Sequence, residues 1–336
     1  MKQLAVWITV FLLSTGLLIG PLFAVAAHSG SHENLGGVDA VSSLNGESRR
    51  DSMQLRLKQK IESRLNPSGQ PGKRAWLLEP RLFNLLSSAG RTAVMIDNGL
   101  LPAPTPHQQK DRRHLQVRPQ SVAPGQNIQV NDPRFDLTGH TQSETSIATN
   151  GSSIVETFND TSSGFNSGYS VSRDGGVSFT QSDIPSQLAG FNIGDPVLSI
   201  GPSGEYYHSQ IAQAGEEGSS TGESIVEVSK STDNGVTFSV PVDATTVLAT
   251  EFDQQDKPWN TTDRAAASPF KGNVYVSWTD FSINFGIGIW MARSTNGGLS
   301  FEPPVAVSPQ SRTAVVQGSM PAVAPNGNLF VAYIDK

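Results

Sequence analysis

Apolar and polar residues alternate with a period of two through the C-terminal part of the chain. From about Val130 onward, runs such as Ile154-Val155-Glu156-Thr157-Phe158, Val197-Leu198-Ser199-Ile200, Val274-Tyr275-Val276-Ser277-Trp278 and Leu329-Phe330-Val331-Ala332-Tyr333 stand between Asn-Gly or other glycine-containing turns. Short alternating runs bounded by such turns predict antiparallel strands joined as hairpins.

The N-terminal part is patterned differently. Met53, Leu57, Ile61 and Leu65 recur every fourth residue with Arg56, Lys58, Lys60 and Arg64 between them, which predicts an amphipathic helix near 51–65 ended by Asn66-Pro67 and Gly69. Leu77, Leu78, Leu82, Phe83, Leu85 and Leu86 form a second apolar stretch broken by Pro80. Together they read as an arm for a partner or membrane surface, or as an extension packed on the β domain; the second reading is favoured. Residues 101–126, rich in Pro and Gln, read as a linker. At the start, Lys2, the apolar run Leu4 to Phe23 and the small residues Ala24-Val25-Ala26 match a cleavable export signal. The run is also long enough for an uncleaved anchor, so membrane contact is expected only in that case. Either way the protein is expected outside the cytoplasm: secreted, at the cell surface or in a periplasm. The expected organisation is therefore a signal over 1–26, a linker and extension over 27–129, and a β domain over 130–336.

Within the β domain one octapeptide recurs. Ser172, Asp174, Gly176 and Phe179 occupy the same offsets as Ser231, Asp233, Gly235 and Phe238, and again as Ser294, Asn296, Gly298 and Phe301, at intervals of roughly sixty residues. Physically this is a hairpin turn: the Asp or Asn side chain accepts bonds from nearby backbone N–H groups, the glycine takes positive φ, and the phenylalanine starts the return strand. Between these turns lies a second repeated hairpin, giving four strands per repeat.

The pattern Ser-x-Asp-x-Gly-x-x-Phe resembles the Asp-box, or BNR repeat, of the sialidase-like (neuraminidase) superfamily, and the resemblance covers about 130–336. It implies an all-β, sialidase-like β-propeller with blades at about 140–190, 191–250 and 251–310 and a partial blade at 311–336. Since that family's ring has six blades, about three and a half are present. The sequence is then expected to be a fragment of a longer protein; pairing of two chains to close a ring is the alternative.

Composition narrows the function classes. Charged residues are 16% of the chain, with 32 Gly and 21 Pro, a profile of short strands and many turns. The net charge of −6 is spread out and leaves no basic face for nucleic acid. There is no cysteine, hence no disulfide, thiolate metal site or lipid-modified cysteine. His28 and His32 are too few to hold a metal. No metal or other cofactor is expected; a Ca2+ on acidic positions stays open without support.

In a four-stranded blade the turns between first and second strands, and between third and fourth, share one face. The Asp-boxes decorate that face, so function is expected at the opposite one. There, Glu144, Asp195 and Asp256 start first strands, and Asp160, Asp280 and Asp335 follow second strands; Lys257, Trp259, Arg264 and Trp278 are close in sequence. Such carboxylates suit general acid–base work or a hard cation, or they simply cap turns, the favoured reading. Trp259 and Trp278 are candidate platforms for a sugar or protein. The sequons at Asn150, Asn159 and Asn260 match a short, common pattern.

Members of the resembled family that are sialidases hold a substrate carboxylate with three arginines and use a Tyr nucleophile assisted by Glu, with an Asp acid/base. The Phe/Tyr-Arg-Ile-Pro motif is absent here, and after residue 140 only Arg173, Arg264, Arg293 and Arg312 occur. The fold therefore transfers and the catalytic residues remain unassigned. The expected function is an exported module that binds a glycan or an extracellular protein. The alternative is a glycoside hydrolase of exo-α-sialidase type whose remaining residues lie in a missing C-terminal half.

Overall fold

The computed structural model describes residues 5–11, 24–25, 80–97, 100–101, 115–116, 127–132, 141–161, 167–185, 190–214, 223–245, 253–282, 285–313 and 315–336. The helix expected near 51–65, together with His28 and His32, lies outside the described residues.

Sheet I is built from β4 (Gln142–Asn150), β5 (Ser153–Asp160), β6 (Gly168–Ser172) and β7 (Thr180–Asp183), with the two-residue β3 (Leu115–Gln116) added outside β7. Residues 115–116 thus leave the expected linker to pair with Gln181 and Thr180. Sheet II holds β8 (Gly190–Ile200), β9 (Tyr206–Ala214), β10 (Glu223–Ser231) and β11 (Val242–Asp243). Sheet III holds β12 (Asp253–Thr262), β13 (Val274–Ser282), β14 (Gly286–Ser294) and β15 (Val305–Ala306). Sheet IV starts with β16 (Val316–Val323) and β17 (Leu329–Asp335). On the open edge of β17 lies β1 (Ala5–Phe11), itself joined by β2 (Ala24–Val25). The segment expected as an export signal therefore enters as strands, at the position filled by the third strand in sheets I to III; an unpaired sheet edge is a template for any apolar strand. All the pairings are antiparallel.

Sheets II and III are covered on both faces, which explains why alternation fades in their second strands. Along β13, Val274, Val276 and Trp278 enter the core shared with sheet II, while Tyr275 enters the core shared with sheet IV. Tyr206 and Tyr207 split in the same way between sheets I and III. The strands β4, β8, β12 and β16 touch one another from sheet to sheet and form the inner wall.

The three repeated octapeptides are the turns between third and fourth strands. In the first, Ser172 Oγ donates to Asp174 Oδ1 at 2.8 Å, the Gly176 N–H donates to Ser172 Oγ at 2.8 Å, and Ser178 donates to Asp174 through its N–H at 2.9 Å and its hydroxyl at 2.6 Å. These donors hold the exposed Asp174 carboxyl down to about 2. Ser231, Asp233, Gly235 and Thr237 repeat the network, and Ser294, Asn296, Gly298 and Ser300 repeat it with an amide.

These turns also staple neighbouring sheets. Phe238 from sheet II fills the core with sheet I, and Phe301 from sheet III fills the core with sheet II. The Asn234 carbonyl accepts from Ser153 Oγ at 2.8 Å, and the Val236 carbonyl from Tyr169 OH at 2.8 Å. Gly235 lies at φ 82°, and a Cβ there would stand 2.2 Å from Val155 Cγ2 in the next sheet. No side chain is accommodated without moving one sheet off the other.

Gly235→Ala is therefore expected to lower unfolding stability by about 2 kcal/mol or more, combining the positive φ with overpacking. Denaturant midpoints of the full chain check this. A loss below about 0.5 kcal/mol would show that the turn does not set the sheet spacing.

Candidate functional site

Every inner strand carries a bulge at the same place. Register shifts occur between Ser143 and Ser146, Gly194 and Val197, Asp256 and Trp259, and Gln317 and Met320. At each bulge one residue turns to positive φ: Glu144 at 54°, Asp195 at 55°, Lys257 at 48° and Gly318 at 67°. Among the described residues the other non-glycine with positive φ is Asn234, in a turn. For an L side chain this conformation costs on the order of 1–2 kcal/mol, so three such residues in register mark a site rather than an accident of turns.

Neighbouring groups hold the bulges. Asn159 Oδ1 accepts from the Asp195 N–H at 2.8 Å, and a Cβ on Gly194 would stand 2.5 Å from that same oxygen. Asn260 donates to the Val197 carbonyl at 3.1 Å and to Ser209 Oγ at 2.9 Å. Both amides are buried and engaged, so these two sequons are not glycan acceptors in the folded chain.

The bulges bring four charged groups together from three sheets. Lys257 Nζ lies 2.5 Å from Glu144 Oε2 and 3.4 Å from Asp195 Oδ2. Asp195 and Asp256 are 4% and 0% exposed, whereas Glu144 and Lys257 keep about a third of their side chains in water. Neither oxygen of Asp195 accepts a hydrogen bond, although Lys257 stands near one of them. Burial pushes the Asp195 and Asp256 carboxyls up, and burial followed by the neighbouring Asp195 pushes Glu144 up. For Lys257, burial acts downward, but Asp195 and Glu144 outweigh it and the net shift is upward. Three carboxyls around one ammonium group can share protons and attract hydrogen-bond donors. They repel anions.

Helices from the N-terminal extension lie on this cluster: α1 (Pro80–Leu85) and α2 (Ser88–Asp97). Ser87 is the N-cap of α2, its hydroxyl accepting from the Gly90 N–H at 3.0 Å. The Ser87 N–H donates to Asp256 Oδ2 at 2.6 Å, and Ser88 Oγ to Glu144 Oε1 at 3.3 Å. Ala89, Ala93 and Ile96 pack on Ile193 and Ile211, while Leu86 and Val94 join the core between sheets III and IV. Gln317 at the fourth bulge donates to the Leu85 carbonyl at 3.0 Å.

The remaining candidates separate from this centre. Asp160 receives Gln181 Nε2 at 3.4 Å, and Asp280 receives Gln255 at 3.0 Å and Gln310 at 2.7 Å. These two buried carboxylates tie strands within sheets I and III. Asp335 ends β17 opposite Val316. Trp259 is 39% exposed, but Trp278 is 1% exposed inside the core between sheets II and III and is no platform, because the second strand is covered on both faces. Arg264 follows the last residue of β12 and sits in the loop joining it to β13, at the end of the strand opposite Asp256. It belongs to the face of the repeated turns, not to the candidate face. Arg293 pairs with Glu302. Among the described residues Lys257 is the basic side chain paired with the carboxylate cluster.

Among the described residues no group of three or more His, Asp or Glu is arranged to hold a metal ion, and no helix is long and apolar enough to cross a membrane.

No family model and no curated protein matches this chain. Similar solved structures include the GH93 alpha-L-arabinofuranosidase of Fusarium graminearum in complex with arabinobiose, at 14% identity and TM-score 0.45 over 59% of this chain and 58% of that one. The Penicillium chrysogenum alpha-L-arabinanase complexed with arabinobiose gives 13% and 0.45 over 58% and 57%. The Hadza microbial sialidase Hz136 gives 14% and 0.41 over 56% of this chain and 41% of that one. The matched part spans less than three fifths of each of these proteins.

The raised carboxyls give a signed pH dependence. Asp195 and Asp256 bind protons more tightly folded than unfolded, so their contribution favours the fold most below the unfolded value near 3.8 and is lost as pH rises through the folded values. Asp195→Asn and Asp256→Asn are expected to flatten the fall in stability above roughly pH 4, read from urea midpoints across pH. An unchanged slope in both variants would mean that these carboxyls ionise freely.

Proposed function

We propose that this chain is an exported, sialidase-like Asp-box propeller module that binds a glycan at the face formed by its inner-strand bulges. What carries the reading is the convergence of Glu144, Asp195, Asp256 and Lys257 from three successive sheets, with Glu144, Asp195 and Lys257 held at positive φ. Half-exposed Trp259, two residues along β12 from Lys257, supplies an apolar surface beside them. The repeated turns serve the fold, and the three sheets that carry them correspond to blades of a six-bladed ring.

A hydrolase is the second reading, favoured by the raised carboxyls of Asp195 and Asp256, which suit a proton donor and acceptor. An exo-sialidase site would also need a guanidinium cluster, and the cluster here is paired with a lysine instead.

A glycan array probed with the full chain, followed by titration of the best glycan, tests the binding reading. Saturable binding without turnover is expected, weakened about tenfold or more by Glu144→Gln or Lys257→Met through loss of a charged hydrogen-bonding group. Turnover abolished by Asp256→Ala would move the protein to the hydrolases. Binding indifferent to all three substitutions would place the ligand elsewhere.

A further inference from the structure

Resting on that reading, we infer that residues 80–97 are an autoinhibitory segment seated in the ligand site, and that the ligand they displace is a neutral, hydroxyl-rich sugar rather than an acidic one. The segment presents two polar donors to the cluster: the Ser87 N–H to Asp256 and the Ser88 hydroxyl to Glu144. A neutral sugar offers the same groups, O–H donors on a small apolar frame.

The chemistry of the cluster selects the ligand. Three carboxyls face one ammonium group, and Asp195, 4% exposed, meets Lys257 at 3.4 Å and the carboxyls of Glu144 and Asp256, with no N–H or hydroxyl group placed to donate to it. An unsatisfied buried acceptor asks for a donor that the helix does not deliver. A carboxylate-bearing sugar would add a fourth acidic group where three already share one ammonium group.

The seat is built for close approach. A Cβ on Gly90 would lie 3.5 Å from Asp256 Oδ2, and the Ala89 Cβ lies 3.3 Å from the Cβ position of Gly194. Ala93 is fully buried, and Arg81 reaches from α1 to the Arg312 and Thr313 carbonyls at 3.0 Å each. The positive end of α2 meets the acidic cluster, so electrostatics holds the segment down as well. Its contacts with the wall combine buried Leu86, Val94 and Ile96 with the small Ala89 and Ala93, one cap and a few hydrogen bonds. A ligand that bonds Asp195 as well can compete with it.

Two variants of the full chain release the segment without touching the carboxyls. Ala89→Glu with Ala93→Glu places two carboxylates in an apolar seat, and Ser87→Pro removes the N–H that Asp256 accepts. Hydrogen exchange of residues 88–97 reports release, and carbodiimide labelling of Glu144, Asp195 and Asp256 reports exposure of the site. Titration uses xylobiose and arabinobiose as neutral probes and sialyllactose as the acidic one. Release should raise exchange and labelling together and tighten a neutral probe about tenfold or more, with no gain for sialyllactose, because removing an occluded population restores the intrinsic affinity.

A neutral probe bound equally by parent and variants, with labelling raised in the variants, overturns the inference and leaves the functional reading intact. A gain for sialyllactose overturns the ligand class. Binding by neither parent nor variants, with the carboxyls labelled, overturns the functional reading and the inference with it. Residues 88–97 remaining protected in both variants would show that these contacts do not hold the segment.

Discussion

A bulge at the same position of each innermost strand forces one residue per sheet into the left-handed region, and the candidate face is a consequence of that constraint. A regular strand would place Glu144, Asp195 and Lys257 on its pleat, each facing its own sheet interface. The register shift instead turns them along the inner wall, where three strands bring them within reach of one another. Backbone strain is the cost, and it is borne by fixed partners such as Asn159, whose carbonyl holds the Asp195 N–H. The sheets in turn keep their spacing through the repeated turns on the other face, where Phe238 and Phe301 lock one sheet to the next. Structure and site therefore sit at opposite ends of the same sheets.

Burial then decides the chemistry. Taking Asp195 and Asp256 out of water disfavours their charged forms, and the neighbouring ammonium group offsets only part of that. The cluster is left with a demand for donors, which the N-terminal extension meets in part through Ser87 and Ser88. The same segment closes the apolar seat between sheets II and IV with Ala93, Ile96, Leu86 and Val94. It acts as packing for the fold and as an occupant of the face.

Much of this was legible in the residues. The octapeptides locate the turns between third and fourth strands, because a Ser, an Asp or Asn and a glycine at fixed offsets admit few other backbones. Alternation locates the hairpins, and their order separates the two faces. Glu144, Asp195, Asp256 and Lys257 stand out as polar residues at the starts of inner strands, but the bulge that unites them has no composition of its own: Thr145, Pro196, Pro258 and Ser319 follow the four positive-φ residues. Asp160 and Asp280 share the acidic signature yet serve glutamines within their own sheets, a distinction made by tertiary neighbours alone. Trp278 looks like its neighbour Trp259 and is buried because its strand lies second in the sheet. The helix over 88–97 has a sequence signal of its own: serines ahead of Ala89, Ala93, Val94 and Ile96 at helical spacing, with Asn98-Gly99 next in the sequence.

Side chains from separate sheets meet around Lys257. A double-mutant cycle between Lys257→Met and Asp195→Asn, read as unfolding free energy of the full chain at neutral pH, tests this most directly. Contact within one network predicts a coupling energy of about 1 kcal/mol, with the second substitution costing less once the first is made. Effects that add to within about 0.3 kcal/mol would show that the two groups do not meet, and would contradict the account of the site.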